Sequence, residues 1–433
     1  MNRKRIALIS LGIAALLLLV VVVTGSYVWQ QFDFYGELEG PVSDAVKDFR
    51  FDLFRYEVDA VSSKLYDWWR RPGVRLTPEE QVELVEQYRW RARRMRWTEY
   101  DIEGIYADPG VTDPEAASVS LRQQLAEFGL IQEEARPLVE AIMERQVADG
   151  LDRAGLATAS FAWPPLRFNF SDLPNYLIVS PRDRIEVVAG VHLRSDLGLP
   201  EIEAIEEDVA VQFDRSTLID DLGGLGVWPT MVMDDSSLPW TLNTIAHEWV
   251  HNYLAFHPLG WNMFDSQEMN IINETVASIV GDEIGQALAY EIYGIPLPPP
   301  PSGDETELPE PDPDEFDFHT EMHRTRLKVD ELLEAGRVEE AEDYMEQRRQ
   351  LFVANGYAIR KLNQAYFAFH GNYATRPAAS DPIGPELQEL RELTPDLATF
   401  FHAVKEISEP EDLDHLLAEW RKRSGSSAVP DRD

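Results

Sequence analysis

One segment, Thr241 to Phe256, restricts the possible folds of this chain more than any other. It reads TLNTIAHEWVHNYLAF, and an H-E-x-x-H pattern places His247, Glu248 and His251 within it. Residues four apart lie above one another on a helix, so the two imidazoles face the same side. Two imidazoles in this position can bind one zinc ion and leave room for a third protein ligand and a water molecule.

Glu248 directly follows the first histidine, so we expect its carboxylate to point toward the water position. Zinc lowers the pKa of a bound water to roughly 7, and a carboxylate can then accept its proton at neutral pH. The pattern therefore predicts Glu248 as a general base and Zn²⁺ as the cofactor. A five-residue pattern also arises by chance, so the surrounding sequence is needed to decide whether this one marks a metal site.

The next predicted helix supplies a third ligand. It contains the run NETVAS, in which Glu274 falls 23 residues after His251. Together the two segments resemble the gluzincin metallopeptidases, the thermolysin-like clan, whose third zinc ligand is the glutamate of an N-E-x-x-x-[DSA] helix. Asn273, Glu274 and Ser278 stand at those positions here. The resemblance implies that Glu274 binds zinc together with His247 and His251.

One position departs from the commonest form of that pattern. Where many family members carry aspartate four residues after the glutamate, this chain has Ser278, and its next aspartate is Asp282. Zinc-binding histidines usually donate their other ring N–H to a carboxylate or carbonyl. The sequence leaves that partner unassigned.

A rival third ligand is His257, six residues after His251. This spacing is that of the metzincin pattern H-E-x-x-H-x-x-G-x-x-H, in which a glycine breaks the helix and turns the chain back toward the metal. Leu254 stands at the glycine position here, and the residues after it continue the helix. We therefore expect Glu274, and not His257, to complete the site.

Gluzincins often carry a tyrosine or histidine from a later helix that stabilises the oxyanion of the tetrahedral intermediate. The resemblance directs attention to residues 362–373, which read LNQAYFAFHGNY. Tyr366, His370 and Tyr373 are the catalytic candidates in this stretch. Each also suits an ordinary core or surface position, and the sequence leaves the choice among them open.

The N-terminus predicts a membrane anchor. Basic residues at 3–5 precede Ile6 to Val23, an 18-residue run that is hydrophobic except for Ser10 and Gly12. Such a run can cross a bilayer, and the basic residues before it favour the cytoplasmic side. A cleaved signal peptide is the alternative, but residues 23–25 make a poor cleavage site. We expect a single-pass membrane protein with its catalytic domain outside the cytoplasm.

Composition limits the partners of the chain. Its 433 residues include 77 acidic and 39 basic ones, and the formal net charge is −38. This charge argues against nucleic acid as a partner and against docking on anionic lipid. Cysteine is absent, so disulfides are excluded. The sequence does not indicate an oligomeric state.

One predicted helix mixes basic and aromatic residues. It carries Tyr88, Trp90, Trp97 and Tyr100, interleaved with Arg89, Arg91, Arg93, Arg94 and Arg96. This mixture also occurs in nucleic-acid-binding helices. In so acidic a chain, we expect these arginines to pair with carboxylates and to stack on the tryptophans.

The chain as a whole predicts an α+β fold that is mostly helical. Residues 1–30 are the predicted transmembrane helix, residues 31–160 a helical module, and residues 161–423 a zinc metallopeptidase-like domain with a small sheet and the zincin active-site helices. Residues 424–433 are predicted to be a disordered tail. A loop at 296–315 holds eight prolines, seven acidic residues and no basic residue, a composition that cannot pack a core.

Hydrophobic runs at 176–179, 185–191 and 227–233 predict three strands. The last run precedes the H-E-x-x-H helix, and its position resembles the edge strand that thermolysin-like enzymes lay against their substrate. An exposed edge can pair with an extended peptide by backbone hydrogen bonds. An ordinary core strand fits the same residues, and the sequence leaves both interpretations open.

These features predict a membrane-anchored zinc metallopeptidase that acts on a peptide or protein substrate. Two alternatives remain: a non-catalytic membrane-tethered scaffold with a structural or vestigial zinc site, and a metal-dependent hydrolase of another bond. Glu248 argues against the scaffold, because a structural zinc site needs no base. The sequence specifies neither the substrate nor endopeptidase or exopeptidase action.

Overall fold

A computed structural model describes residues 38–70, 76–107, 110–157, 162–234, 237–297, 316–371 and 382–425. The α-helices are α1 (Glu39–Ala45), α2 (Leu53–Arg70), α3 (Pro78–Ala107), α4 (Pro114–Arg153), α5 (Leu199–Phe213), α6 (Leu238–Leu254), α7 (Pro258–Trp261), α8 (Gln267–Tyr293), α9 (Phe318–Glu334), α10 (Val338–Ala354), α11 (Gln364–His370), α12 (Ile383–Leu393), α13 (Leu397–Val404) and α14 (Glu411–Arg423). The strands are β1 (Phe168–Phe170), β2 (Asn175–Ser180), β3 (Ala189–Leu193), β4 (Ser216–Asp221), β5 (Gly224–Leu225) and β6 (Thr230–Val232).

The two longest helices, α3 and α4, begin at residues that cap them. Before α3, Glu80 N–H donates to Thr77 Oγ1 at 3.2 Å and Thr77 N–H donates to Glu80 Oε2 at 2.7 Å. Before α4, the Asp113 carboxylate accepts from the N–H of Ala116 at 3.0 Å. These bonds satisfy donors that the first turn of a helix leaves unpaired. The two helices pack against each other as a hairpin.

The strands form two small sheets. One has the order β3-β2-β4 and is antiparallel throughout. The other has the order β1-β6-β5, in which β1 runs parallel and β5 antiparallel to β6. The first sheet packs against α1, α5 and α11, while the second lies beside α4 and α6.

Two of the predicted strands are shorter in the structure than in the prediction. The run at 185–191 becomes a strand only at Ala189, which pairs with Val179, because β2 ends one residue later, at Ser180. The run at 227–233 pairs only over β6, since Pro229 has no N–H to donate to a ladder. β6 is moreover the central strand of its sheet, and β1 and β5 are the edge strands.

The largest hydrophobic core joins the helical hairpin to the later helices. It contains Tyr88 of α3, Val147 of α4, Ile245 of α6, Val276 of α8 and Phe400 of α13, none of them more than 1% exposed. This core therefore crosses the predicted domain boundary between residues 160 and 161. The H-E-x-x-H helix is supported by residues from both sides of it.

The predicted fold class needs correction in its transmembrane part. In the portion of the chain that the structure describes, no helix is both long and apolar enough to cross a membrane. Even α8, with 27 residues, carries acidic side chains along its length. The predicted span at 6–23 lies outside the described residues, as do most of the 296–315 loop and of the tail. The predicted localisation as a single-pass membrane protein is therefore not supported.

Candidate metal centre

Two helices bring together the three predicted metal ligands. α6 carries His247 and His251, and α8 carries Glu274. The Nε2 atoms of the histidines lie 3.0 Å apart. Glu274 Oε2 is 3.4 Å from His247 Nε2, and Glu274 Oε1 is 3.6 Å from His251 Nε2. In the described residues these three form the one histidine and carboxylate group whose ligand atoms all lie within 4.8 Å of one another.

These distances fit a tetrahedral metal ion. Bonds of about 2.0–2.1 Å to nitrogen and oxygen place neighbouring ligand atoms roughly 3.3 Å apart. Glu274 Oε2 is also buried without a hydrogen-bond partner among the described residues, which is costly unless another group binds it. Two imidazole nitrogens and one carboxylate are a donor set that suits zinc. The residues present therefore fit the predicted cofactor.

Close packing of α6 against α8 makes this meeting possible. A Cβ on Gly285 would lie 2.5 Å from the backbone N of Asn243, and one on Gly281 would lie 3.1 Å from His247 Cβ. The two glycines are four residues apart and therefore share one face of α8. Their G-x-x-x-G spacing was visible in the sequence, but the prediction did not use it.

Asn273 orients one of the histidine rings. Its Oδ1 lies 2.9 Å from His251 Nδ1, while its Nδ2 donates to the carbonyl of Leu259 at 3.3 Å. A ring nitrogen held in this way turns the opposite nitrogen toward the metal position. Asp282, the aspartate left open by the sequence, instead accepts a hydrogen bond from the side chain of Asn243.

The Glu248 carboxylate lies against β5 and the residue that follows it. It is 7% exposed, and burial raises its pKa above the ordinary range. Cβ atoms at Gly224 and Gly226 would collide with or press on its carboxylate oxygens. Glycine at these two positions thus lets the edge strand approach the predicted general base. The sequence showed a glycine-rich run here without indicating what it approaches.

The charges within the cluster are strongly coupled. Burial lowers the pKa of His251, but the Glu274 carboxylate, together with Glu248 and Asn273, raises it to about 9. Burial likewise opposes ionisation of Glu274, yet the two histidines hold its pKa well below the usual range. The two imidazoles of the site therefore stabilise the charged form of the Glu274 carboxylate.

The other predicted site residues have partners outside the three-residue cluster. His257 stacks on Tyr253 with ring centroids 4.6 Å apart, and its Nδ1 is 4.0 Å from Glu406. His370 Nε2 is 2.9 Å from Asp220 at the end of β4, and the Tyr366 ring packs on His370. Through these contacts Tyr366 and His370 pack against the β3-β2-β4 sheet. Tyr373 lies outside the described residues.

No protein-family model, no curated protein and no solved structure matches this chain.

Proposed function

We propose that this chain is a zinc-dependent peptidase of the gluzincin type. The observation that carries the proposal is the convergence of His247, His251 and Glu274 beside a buried, non-ligating Glu248. A structural zinc site commonly takes four protein ligands, whereas a catalytic one keeps a position open for water or substrate. Three ligands and an adjacent carboxylate match the catalytic arrangement.

When bound, zinc would supply Lewis-acid polarisation of a carbonyl and would acidify water at neutral pH. His247, His251 and Glu274 would hold it, and Asn273 would keep the His251 ring in place. Glu248 would accept the proton of the attacking water and pass it to the leaving amine. Its burial favours this exchange, because a raised pKa brings the carboxylate closer to the pH at which it must take up a proton.

The edge strand β5 supports a peptide as the substrate. In its sheet it pairs with β6 on one side only, so the backbone of Gly224 and Leu225 can bond an extended chain. Gly224 lies next to Glu248, since a Cβ at this position would collide with the Glu248 carboxylate. A peptide paired with β5 would therefore run past the proposed general base.

Metal analysis tests the ligand assignment. Purified full-length protein should contain close to one zinc ion per chain. Glu274→Gln should lose most of it, as should His247→Ala and His251→Ala. His257→Ala is the matched control, since this imidazole lies against Tyr253, and it should keep the wild-type content. Zinc retained by Glu274→Gln and lost by His257→Ala would reverse the assignment.

Activity tests the catalytic part separately. Glu248→Gln should keep zinc and the fold, and should lose at least about 10²–10⁴-fold of peptide hydrolysis, the usual contribution of a general base. Hydrolysis can be measured on a library of extended peptides with wild type as the reference. Zinc-loaded wild type that cuts no peptide would favour the scaffold alternative, and equal activity in both proteins would exclude Glu248 as the base.

A further inference from the structure

An open groove of about 1000 Å³ lies beside the N-terminal end of α6. α3 lines it along one side, and Ser237 to Pro239 together with Ile295 complete the lining. Its charged lining consists of four arginines and one carboxylate. These are Arg89, Arg91, Arg93, Arg96 and Glu86. The groove is therefore a locally basic surface on a chain whose formal net charge is −38.

Two of these arginines contradict the expectation that carboxylates would neutralise them. Among the described residues, neither Arg91 nor Arg93 forms an ion pair with a carboxylate. The Nε of Arg91 donates only to the neutral side chain of Gln132, at 3.4 Å. Burial, and then repulsion from Arg93, lower the pKa of Arg89 to about 10. Positive charge is thus concentrated here.

Exposed tryptophans accompany the arginines. Trp90 is 52% exposed and Trp97 is 64% exposed, and both line the groove with Leu238. The two tryptophans are seven residues apart, which is two helical turns or about 10 Å along α3. Large aromatic side chains beside arginines are the commonest anchors of protein interfaces.

We propose that this groove binds an extended acidic segment of another protein, in which acidic and apolar residues alternate. The groove follows α3 from Glu86 to Trp97, a distance of roughly 16 Å along the helix. Five residues of extended chain cover about the same length. The carboxylates of the segment pair with Arg91 and Arg93, and its apolar side chains pack on Trp90 and Trp97. The proposal does not depend on peptidase activity.

The overall charge favours a peptide over nucleic acid as the occupant. A net charge of −38 repels a dense polyanion along its whole length, while a short peptide contacts only the groove. Screening limits each charge to a range of about 8–10 Å at physiological salt. Within that range the charged lining of the groove acts on the peptide, and in it four arginines outnumber one carboxylate, that of Glu86.

Fluorescence anisotropy with a labelled ten-residue peptide of alternating glutamate and leucine tests this proposal. The full chain is used as Glu248→Gln, so that the probe is not cut. We expect binding at low salt that weakens as salt rises, and at least about tenfold weaker binding for Arg91→Gln/Arg93→Gln, as two lost charge pairs imply. The same peptide with glutamine for glutamate should bind poorly.

A matched control is Arg145→Gln on α4, an exposed arginine outside the groove, which should bind the probe like the parent protein. Equal weakening by this control would reduce the effect to net charge and overturn the proposal. Tighter binding of a single-stranded oligonucleotide would also overturn it. A third result would overturn the proposal: the parent protein binds the probe only after the acidic residues of 304–315 are changed to amides. The occupant of the groove would then be this segment of the chain itself.

Discussion

The helix pairs α6–α8 and α3–α4 differ in the surroundings of their glycines and in the partners of their charged side chains. In α6–α8, glycines bring the backbones into contact, and the charged side chains that face inward converge on one cluster. In α3–α4, Gly104 and Gly129 face open space, and among the described residues Arg91 and Arg93 line an open groove without a carboxylate partner. Tight packing makes the first pair a rigid support for a site, while the loose, charged face of the second is free to contact a partner.

This difference predicts that glycine-to-alanine substitutions change stability in opposite directions in the two helix pairs. The larger change is expected at Gly285. A Cβ there would lie 2.5 Å from the backbone N of Asn243, so Gly285→Ala must push α6 and α8 apart. Overpacking of this kind costs about 3 kcal/mol. Urea unfolding should show that loss together with reduced zinc content. An unchanged midpoint would mean that the two helices are not in contact at this position.

A smaller effect is expected at α2, which adjoins α4 through the ion pairs of Lys64 with Glu140 and Glu144. Glu57 on α2 is 3% exposed, and its Oε1 has no hydrogen-bond partner among the described residues. Burial raises its pKa to about 7. Because the folded state holds this proton more tightly, stability should fall as the pH rises from about 4.5 to 7.

Glu57→Gln should remove this pH dependence. A rise of the pKa from 4.5 to about 7 corresponds to roughly 3 kcal/mol, and solvent screening of this carboxyl reduces it. The variant should therefore be about 2 kcal/mol more stable than wild type at pH 8 and nearly equal to it at pH 4.5. Unfolding by urea at the two pH values measures the difference. The control is Glu79→Gln, an exposed residue in the first turn of α3, which should lack this behaviour. A Glu57→Gln variant that is less stable at pH 8 would contradict the prediction.

Gly129→Ala in α4 is the counterpart of Gly285→Ala. A Cβ at Gly129 meets no atom within 4 Å, so only helix propensity acts. Alanine should stabilise the protein by about 0.5–1 kcal/mol. The thermal midpoint should rise by a few degrees or less. A destabilised Gly129→Ala would show that something covers this face of the hairpin.

The smallest effect on stability is expected for Arg91→Gln/Arg93→Gln. Neither arginine has a carboxylate partner in the described chain, so the double variant should unfold within about 0.5 kcal/mol of wild type. Its loss of acidic-peptide binding would then be a property of the groove and not of the fold. Substantial destabilisation would mean that the two arginines serve the structure.

Much of the fold followed from local patterns. The helical module predicted for residues 31–160 contains the capped starts of α3 at Thr77 and of α4 at Asp113, and such caps are local because they need only residues three apart. Strand limits were predicted less well: β3 and β6 are shorter than their hydrophobic runs. A strand ends where its partner ends, and the partner is set by tertiary structure.

By itself, the sequence determined that His247 and His251 face the same side of one helix, since that follows from the helical repeat alone. Only the tertiary structure decided that Glu274 and not His257 joins them, because that depends on the packing of α6 against α8 through Gly281 and Gly285. It also decided that a basic groove stands open in an acidic chain. Which charged side chains lie close together depends on the distances between helices and strands, and the composition of the chain does not specify those distances.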